Sequence, residues 1–235
     1  SNLNCVDIGF MLVDKSVLSL IGDENSNFEE KVYPSLVINN KIAAFKTDHR
    51  YYSVSTPEKL QLIEEFMKPK KFVILDRDGV INKKPPQADY VKKWSEFELL
   101  PESIEGMKLL KDNGFGIIIS TNQPGIARGV MTREDLEDIH QNLKSALADN
   151  RVTIDGIYVC DHGWNDGCDC RKPNAGLLFQ AANDFKLDLT KTFYIGDDER
   201  DLEAGKRALC KTLLVSENDS LLKVIKSSVL IGNGG

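Results

Sequence analysis

No apolar run in this chain approaches the ~20 residues that would cross a hydrocarbon core. Its start lacks the basic-then-apolar pattern of a secretory signal. No Lys/Arg-rich block is present, since Lys68 to Lys71 is too short to count. The balance of 30 Lys and Arg against 36 Asp and Glu leaves a formal charge of −6, which argues against nucleic acid as a partner. Internal repeats and low-complexity tracts are also missing, which excludes solenoids and long disordered linkers. The five cysteines are an odd number, and Cys160, Cys168 and Cys170 crowd together, which excludes an evenly spread disulfide framework. These absences predict a cytoplasmic protein with no membrane and no nucleic-acid partner. With 235 residues, 41% hydrophobic and 28% charged, the chain has room for one large domain plus an accessory piece.

Composition shifts at Met67-Lys68-Pro69-Lys70-Lys71, which divides the chain into residues 1–68 and 69–235. Beyond the boundary, strand and helix patterns alternate. Lys71–Leu75 and Phe115–Ser120 are continuous apolar runs, as in strands covered on both faces. Ile104–Asn113 reads as a helix stopped at Asn113-Gly114. Thr132 and Asp135 form a capping-box pattern before a helix that carries Leu136, Ile139, Leu143 and Leu147 on one face. Then come strand Ile154–Val159, helix Leu177–Phe185, strand Thr192–Ile195, helix Glu199–Leu209 and strand Thr212–Val215. The alternation predicts an α/β fold, a Rossmann-like parallel sheet with helices on both faces. Residues 1–68 predict a small mixed α/β appendage, with β-like runs at Gly9–Val13, Leu36–Ile38, Ile42–Phe45 and Tyr51–Val54. A helix follows over Pro57–Met67, Pro57 fitting a first helical position after Thr56.

Polar motifs follow the apolar runs. Phe72-Val73-Ile74-Leu75 ends in Asp76-Arg77-Asp78-Gly79. Alternate side chains of an extended chain share a face, so two carboxylates can address one space, where they repel unless a cation intervenes. A strand ending in a polar turn accounts for the same residues. The functional reading makes Asp76 a nucleophile that forms an aspartyl-phosphate, and Asp78 the acid and then the base. Thr121 and its neighbours offer a hydroxyl and backbone N–H groups to phosphate oxygens. Lys172 can neutralise charge on a transferring phosphoryl group. Asp197, in Gly196-Asp197-Asp198-Glu199-Arg200-Asp201, is a natural oxygen ligand for Mg²⁺. Asp198, Glu199 and Asp201 also suit an acidic helix start. Separately, Cys160-x-His162-x5-Cys168-x-Cys170 supplies three thiolates and an imidazole, the ligand set of a closed, structural Zn²⁺ site. Such a clip would pin the loop that carries Arg171 and Lys172.

Asp-x-Asp, then Thr, Lys and Gly-Asp-Asp, each at a strand's end, resembles the haloacid dehalogenase-like phosphohydrolase superfamily over residues ~71–220, a plausible domain size. The resemblance implies Mg²⁺-dependent phosphatase chemistry, with Asp76, Asp78, Thr121 and Lys172 catalytic and Mg²⁺ held at Asp76, Asp78 and Asp197. Asp76-Arg77-Asp78-Gly79-Val80-Ile81-Asn82, Thr121-Asn122-Gln123-Pro124-Gly125-Ile126-Ala127-Arg128-Gly129 and the Cys168–Pro173 segment together resemble the heptose-1,7-bisphosphate phosphatase family. That likeness implies a phosphorylated sugar substrate of nucleotide-heptose synthesis, contacted by Asn122, Arg128, Arg171 and Lys172. Related histidinol-phosphate phosphatases share the zinc clip but usually lack Gly-Ile-Ala-Arg-Gly. A non-catalytic domain retaining the fold is the contrasting reading. Three features depart from the sugar phosphatases: a short loop between His162 and Cys168, Pro124 for a common serine, and Asp198 for a common lysine.

Val6-Asp7-Ile8-Gly9-Phe10 and Tyr51–Leu60 resemble the C-terminal end of sugar-1-phosphate nucleotidyltransferases. The likeness implies that residues 1–68 are the remnant of such a domain, fused to the phosphatase in a longer bifunctional protein. The glycine-rich nucleotide loop of that family is absent, so no nucleotidyl transfer is expected from this chain. A packing appendage without activity is the alternative.

Overall fold

The computed structural model describes residues 11–22, 27–44, 54–67, 71–86, 89–228 and 230. The chain divides into two units, Ser1–Lys68 and Pro69–Gly235. Among the described residues, no helix is long and apolar enough to cross a membrane.

In the second unit, five strands form one parallel sheet: β1 (Phe72–Leu75), β2 (Gly116–Asn122), β3 (Gly156–Cys160), β4 (Phe193–Gly196) and β5 (Lys211–Leu214). Their order is β3-β2-β1-β4-β5. The register places Leu75 between Ile119 of β2 and Ile195 of β4. The connecting helices are α3 (Ser103–Asp112), α4 (Arg133–Ala148), α5 (Gly176–Phe185), α6 (Glu199–Arg207) and α7 (Leu221–Ser227), with α1 and α2 belonging to the first unit.

The apolar runs of β1 and β2 are explained by burial on two sides. Val73, Leu75, Ile117 and Ile119 pack with Met107 and Leu110 of α3, Ile139 and Leu143 of α4, and Leu221 and Ile225 of α7. The alternate residues Ile74 and Ile118 face the other way, onto Leu178 and Ala181 of α5 and Ala204 of α6. Period-two alternation therefore feeds two separate cores. The expected capping box forms: Thr132 Oγ1 accepts from the Asp135 N–H at 3.0 Å, and Asp135 Oδ2 accepts from the Thr132 N–H at 2.8 Å. The predicted strands and helices of residues 69–235 all occur, with ends shifted by one or two residues. Helix α7, which reading by pattern did not single out, closes the larger core with Leu221, Val224 and Ile225.

Strand order decides where a ligand can bind. The chain runs outward from β1 through β2 to β3, then returns to the opposite side of β1 as β4. The loops after β1 and β4 therefore diverge and leave a crevice at the carboxyl ends of the strands.

The first unit, taken by itself, contains α1 (Phe28–Ile38) and α2 (Pro57–Met67), preceded by a 3₁₀ turn, Lys15–Leu20. Among its described residues there is no strand, so the mixed α/β expectation is not met there. Leu36–Ile38 is the last turn of α1 rather than a β-run. Asn27 caps that helix by accepting from the Glu29 N–H, Glu29 and Glu30 suit its first turn, and Val32 and Leu36 are buried four residues apart. That spacing outweighs the β preference of Val37 and Ile38. Met11–Val13 and Ile42–Ala44 are irregular. Gly9, Phe10, Phe45 and Tyr51–Ser53 lie outside the described residues. Helix α2 begins at Pro57, as expected, with Thr56 Oγ1 accepting from the Lys59 N–H at 3.4 Å.

Leu143 is fully buried in the larger core. Leu143→Ala should lower the unfolding free energy by about 2–5 kcal/mol, and Thr132→Ala by about 1 kcal/mol through loss of the cap. Urea unfolding should show lower midpoints with unchanged slopes in both variants.

Candidate active site

The motifs of Asp76, Thr121 and Asp197 emerge at the carboxyl ends of strands, whereas Arg171 and Lys172 lie far along the loop between β3 and α5 and not at a strand's end as expected. Asp76 follows β1, and its backbone N–H donates to Ile195 O of β4 at 2.8 Å. Thr121 and Asn122 end β2, and Asp197 follows β4. Asp76, Asp78, Thr121, Asn122, Arg171, Lys172 and Asp197 all line one cavity of about 550 Å³. Close approach of β1 and β4 requires Gly79, which has φ +93° and where a Cβ would collide with Asp197 Oδ2.

Lys172 lies at the centre. Its Nζ is 2.8 Å from Asp76 Oδ1 and 2.6 Å from Asp201 Oδ1, and all three side chains are buried. Asn122 braces the lysine backbone by accepting from the Lys172 N–H at 3.1 Å and donating to Lys172 O at 3.3 Å. Tyr194 donates its hydroxyl to Asp201 Oδ1 at 2.9 Å. Burial and the Asp201 charge push the Asp76 carboxyl up to about 7, against the opposing pull of Lys172. Lys172 moves well above the ordinary lysine range, because its carboxylate neighbours outweigh its burial. Both directions follow from one ammonium serving a cluster of carboxylates.

Asp78 has a different environment. The Arg77 guanidinium grips both its oxygens from 3.0 Å, Asn82 Nδ2 donates at 2.8 Å and Gln123 Nε2 at 2.7 Å. These donors, Arg77 foremost, outweigh burial and lower the Asp78 pKa. Arg77 is itself fully buried, with Nη1 3.3 Å from His140 Nε2 and its guanidinium 5.7 Å from the Phe97 ring centre. Burial, and then the Arg77 cation, drive His140 down to about 3, so the imidazole is neutral and its Nε2 accepts from Arg77. Gln123 also donates to Thr121 Oγ1 at 3.0 Å, which ties the threonine to the Asp78 network.

The carboxylates of Asp76, Asp197 and Asp201 come within 4.8 Å of one another and form a group that could hold a metal ion. Asp197 Oδ1 is buried with no hydrogen-bond partner, while Oδ2 draws the Lys84 ammonium to 2.7 Å. An orphaned buried carboxylate oxygen is what a hard divalent ion would satisfy, and the Lys84 ammonium shows that the other oxygen already draws positive charge. The Asp78 carboxylate, expected among the magnesium ligands, is not in this cluster; Asp201 is. Asp201 was read only as an acidic helix start. The signal available in the sequence is that it belongs to the same short acidic run as Asp197, at the start of α6. Arg77, Asn82, Gln123, His140 and Tyr194 carried no motif of their own.

A second group joins Cys160, His162, Cys168 and Cys170, whose ligating atoms also lie within 4.8 Å of one another. Cys160 Sγ is 3.7 Å from Cys168 Sγ and from His162 Nδ1, and Cys170 Sγ is 3.4 Å from Cys168 Sγ. A tetrahedron with Zn–S of about 2.3 Å has edges of about 3.7 Å, so this donor set matches a zinc site in kind and in size. Arg171 directly follows this group, and its Nη1 donates to His162 O at 3.3 Å. Arg128 does not line the cavity; it donates to the hydroxyl of Tyr90, which does, at 2.9 Å.

The raised Asp76 pKa sets a pH dependence. A carboxyl at about 7 in the folded state against 3.8 unfolded gives stability that is present at low pH and lost as pH rises from about 4 through about 7. In metal-free protein, Asp76→Asn should therefore raise the thermal midpoint at pH 8. The corresponding gain in unfolding free energy should shrink by about 3 kcal/mol on moving to pH 5. Calorimetry in the presence of a chelator measures both.

The HAD-hydrolase-like family model matches residues 169–225. The D-glycero-beta-D-manno-heptose-1,7-bisphosphate 7-phosphatase of Pseudomonas aeruginosa is 40% identical over 146 residues, spanning 62% of this chain and 81% of that protein. The protein of the same name from Helicobacter pylori is 38% identical over 154 residues, spanning 65% of this chain and 87% of that protein. Among solved structures, D,D-heptose 1,7-bisphosphate phosphatase from B. bronchiseptica, complexed with magnesium and phosphate, superposes with a TM-score of 0.60 at 35% identity. It covers 67% of this chain and 87% of that one. With the sheet order, the aspartates after β1 and β4 and these likenesses in hand, the chain belongs to the haloacid dehalogenase-like hydrolases, in the family of the heptose-1,7-bisphosphate 7-phosphatases.

Proposed function

We propose that this chain removes a phosphate from D,D-heptose 1,7-bisphosphate through an aspartyl-phosphate formed on Asp76. The observation that carries the reading is the buried Asp76–Lys172–Asp201 cluster beside the separately held Asp78, all opening on one cavity. Asp76 Oδ1 takes both the Arg77 N–H at 2.7 Å and Lys172 Nζ at 2.8 Å, which assigns attack on phosphorus to Oδ2. As the P–O bond to the sugar breaks, the leaving alkoxide takes a proton from Asp78. In the resting chain Arg77 holds Asp78 ionised; the incoming phosphate dianion raises its pKa and loads the proton. Asp78 then removes a proton from water as that water attacks the aspartyl-phosphate, and inorganic phosphate leaves. Lys172 neutralises phosphoryl oxygens, and the Thr121 hydroxyl donates to one of them. Mg²⁺, when held by Asp76 and Asp197, supplies further charge neutralisation for the phosphoryl group. The names of the relatives and the magnesium and phosphate of the B. bronchiseptica protein support both the substrate and the metal.

We assign the Cys160, His162, Cys168 and Cys170 cluster to a structural Zn²⁺. Four protein ligands leave no open position for substrate. Its role is to fix Arg171 and Lys172, the residues that directly follow Cys170.

Three measurements test these assignments. Asp76→Asn should reduce Mg²⁺-dependent phosphate release from the heptose bisphosphate by about a thousandfold or more. The wild type should prefer this ester to histidinol phosphate in kcat/KM; retained activity in Asp76→Asn, or the opposite preference, would refute the corresponding assignment. Elemental analysis of protein prepared without chelators should find about one zinc per chain, and Cys168→Ser should lose it.

A further inference from the structure

We propose that Trp164 is the platform on which the ring of a cyclic sugar phosphate packs, and that it sets the preference for such substrates over acyclic phosphate esters. The inference rests on the reading of the cavity as a sugar bisphosphate site and adds to it a specificity residue that no step of the chemistry uses.

Trp164 lies on the loop between His162 and Cys168. Its side chain is 65% exposed, and among the described residues it is the exposed large hydrophobic side chain that lines the cavity. Keeping an indole in water forgoes about 1.5–3 kcal/mol of burial, stabilisation that a ligand covering the ring would recover. The ring is held in place without being covered. The Arg171 guanidinium sits 5.8 Å from the indole centre. Asp166 Oδ2 accepts from the Gly163 N–H at 2.7 Å and closes the loop tip. The four-ligand cluster grips the loop on both sides of Trp164.

A pyranose has a face of C–H groups and a rim of hydroxyls. An indole offers a flat, weakly negative surface that suits those C–H groups and needs no hydrogen bond from them. Arg171 complements it with planar N–H donors suited to a second phosphate or to hydroxyls. Asp76 and Lys172 line the same cavity, so a sugar packed on the indole can present a phosphate to them. An acyclic ester reaches the same phosphate site but has no ring face to cover Trp164.

The test compares the wild type with Trp164→Ala and Trp164→Phe, with both metals supplied, on the heptose bisphosphate and on glycerol 1-phosphate. Trp164→Ala should raise KM for the heptose ester about tenfold and lower the heptose-to-glycerol ratio of kcat/KM about tenfold. Trp164→Phe, which keeps a flat ring, should restore most of the ratio. Equal losses on both esters, as a purely structural loop residue would give, would overturn the proposal, as would an unchanged KM. Binding is read independently in Asp76→Asn by tryptophan fluorescence. Adding the sugar bisphosphate should change the emission saturably, and the change should vanish when Trp164→Phe is added. A change that persists in the double variant overturns the platform. If the wild type fails to hydrolyse the heptose ester, the substrate reading falls, and the same titration with glucose 1-phosphate decides the platform on its own.

Discussion

One buried ammonium organises the carboxyl edge of the sheet. Lys172 Nζ sits between Asp76 and Asp201 with almost no access to water. Charges so placed lose hydration that only close partners replace. The cluster draws on three distant segments: the turn after β1, the loop before α5 and the first turn of α6. The parallel order, with β4 returning beside β1, lets them converge. Asp76, Lys172 and Asp201 are thus one electrostatic unit, with Asp197 beside it.

Within that unit the two aspartates of the opening motif have opposite surroundings. Asp76 is surrounded by other carboxylates and a shared lysine, which favours its neutral form until further cations arrive. Asp78 has a guanidinium of its own, two amides and no competing acid. Environment, not residue type, separates the two carboxyls, and it is what suits Asp76 and Asp78 to the different roles proposed for them. Arg77 lies between them in sequence and is oriented by a neutral histidine from α4, so the proton carrier depends on the larger core for its position.

Much of this was legible in the residues because the central strands β1, β2 and β4 carry apolar runs that end in polar motifs. Asp76, Asp78, Thr121, Asn122, Lys172 and Asp197 were placed in order along the chain, and the fold brings them to one cavity. The cysteine–histidine cluster was legible because its four ligands are close in sequence. What pattern could not supply was pairing across the fold. Asp201 resembles any acid at a helix start, and His140 is an ordinary polar residue on an otherwise regular helix; their partners lie 29 and 63 residues away, as Lys172 and Arg77. Leu36–Ile38 misled because three β-favouring residues in isolation look like a strand, while the buried positions that set the helix begin four residues earlier. Arg128 has the right charge for a substrate contact, yet it reaches the cavity only through Tyr90.

Asp201 serves two masters with its two oxygens. Oδ1 takes Lys172 and Tyr194, while Oδ2 accepts from the Asp198 N–H at 3.2 Å and completes the capping box of α6. The same carboxylate that seats Lys172 also starts the helix. Fraying of that first turn would release the lysine, and loss of the lysine would leave the helix start with an uncompensated buried charge. Local order at α6 and competence of the site are therefore a single cooperative event: a protease or exchange experiment that sees the turn open is also watching the enzyme switch off.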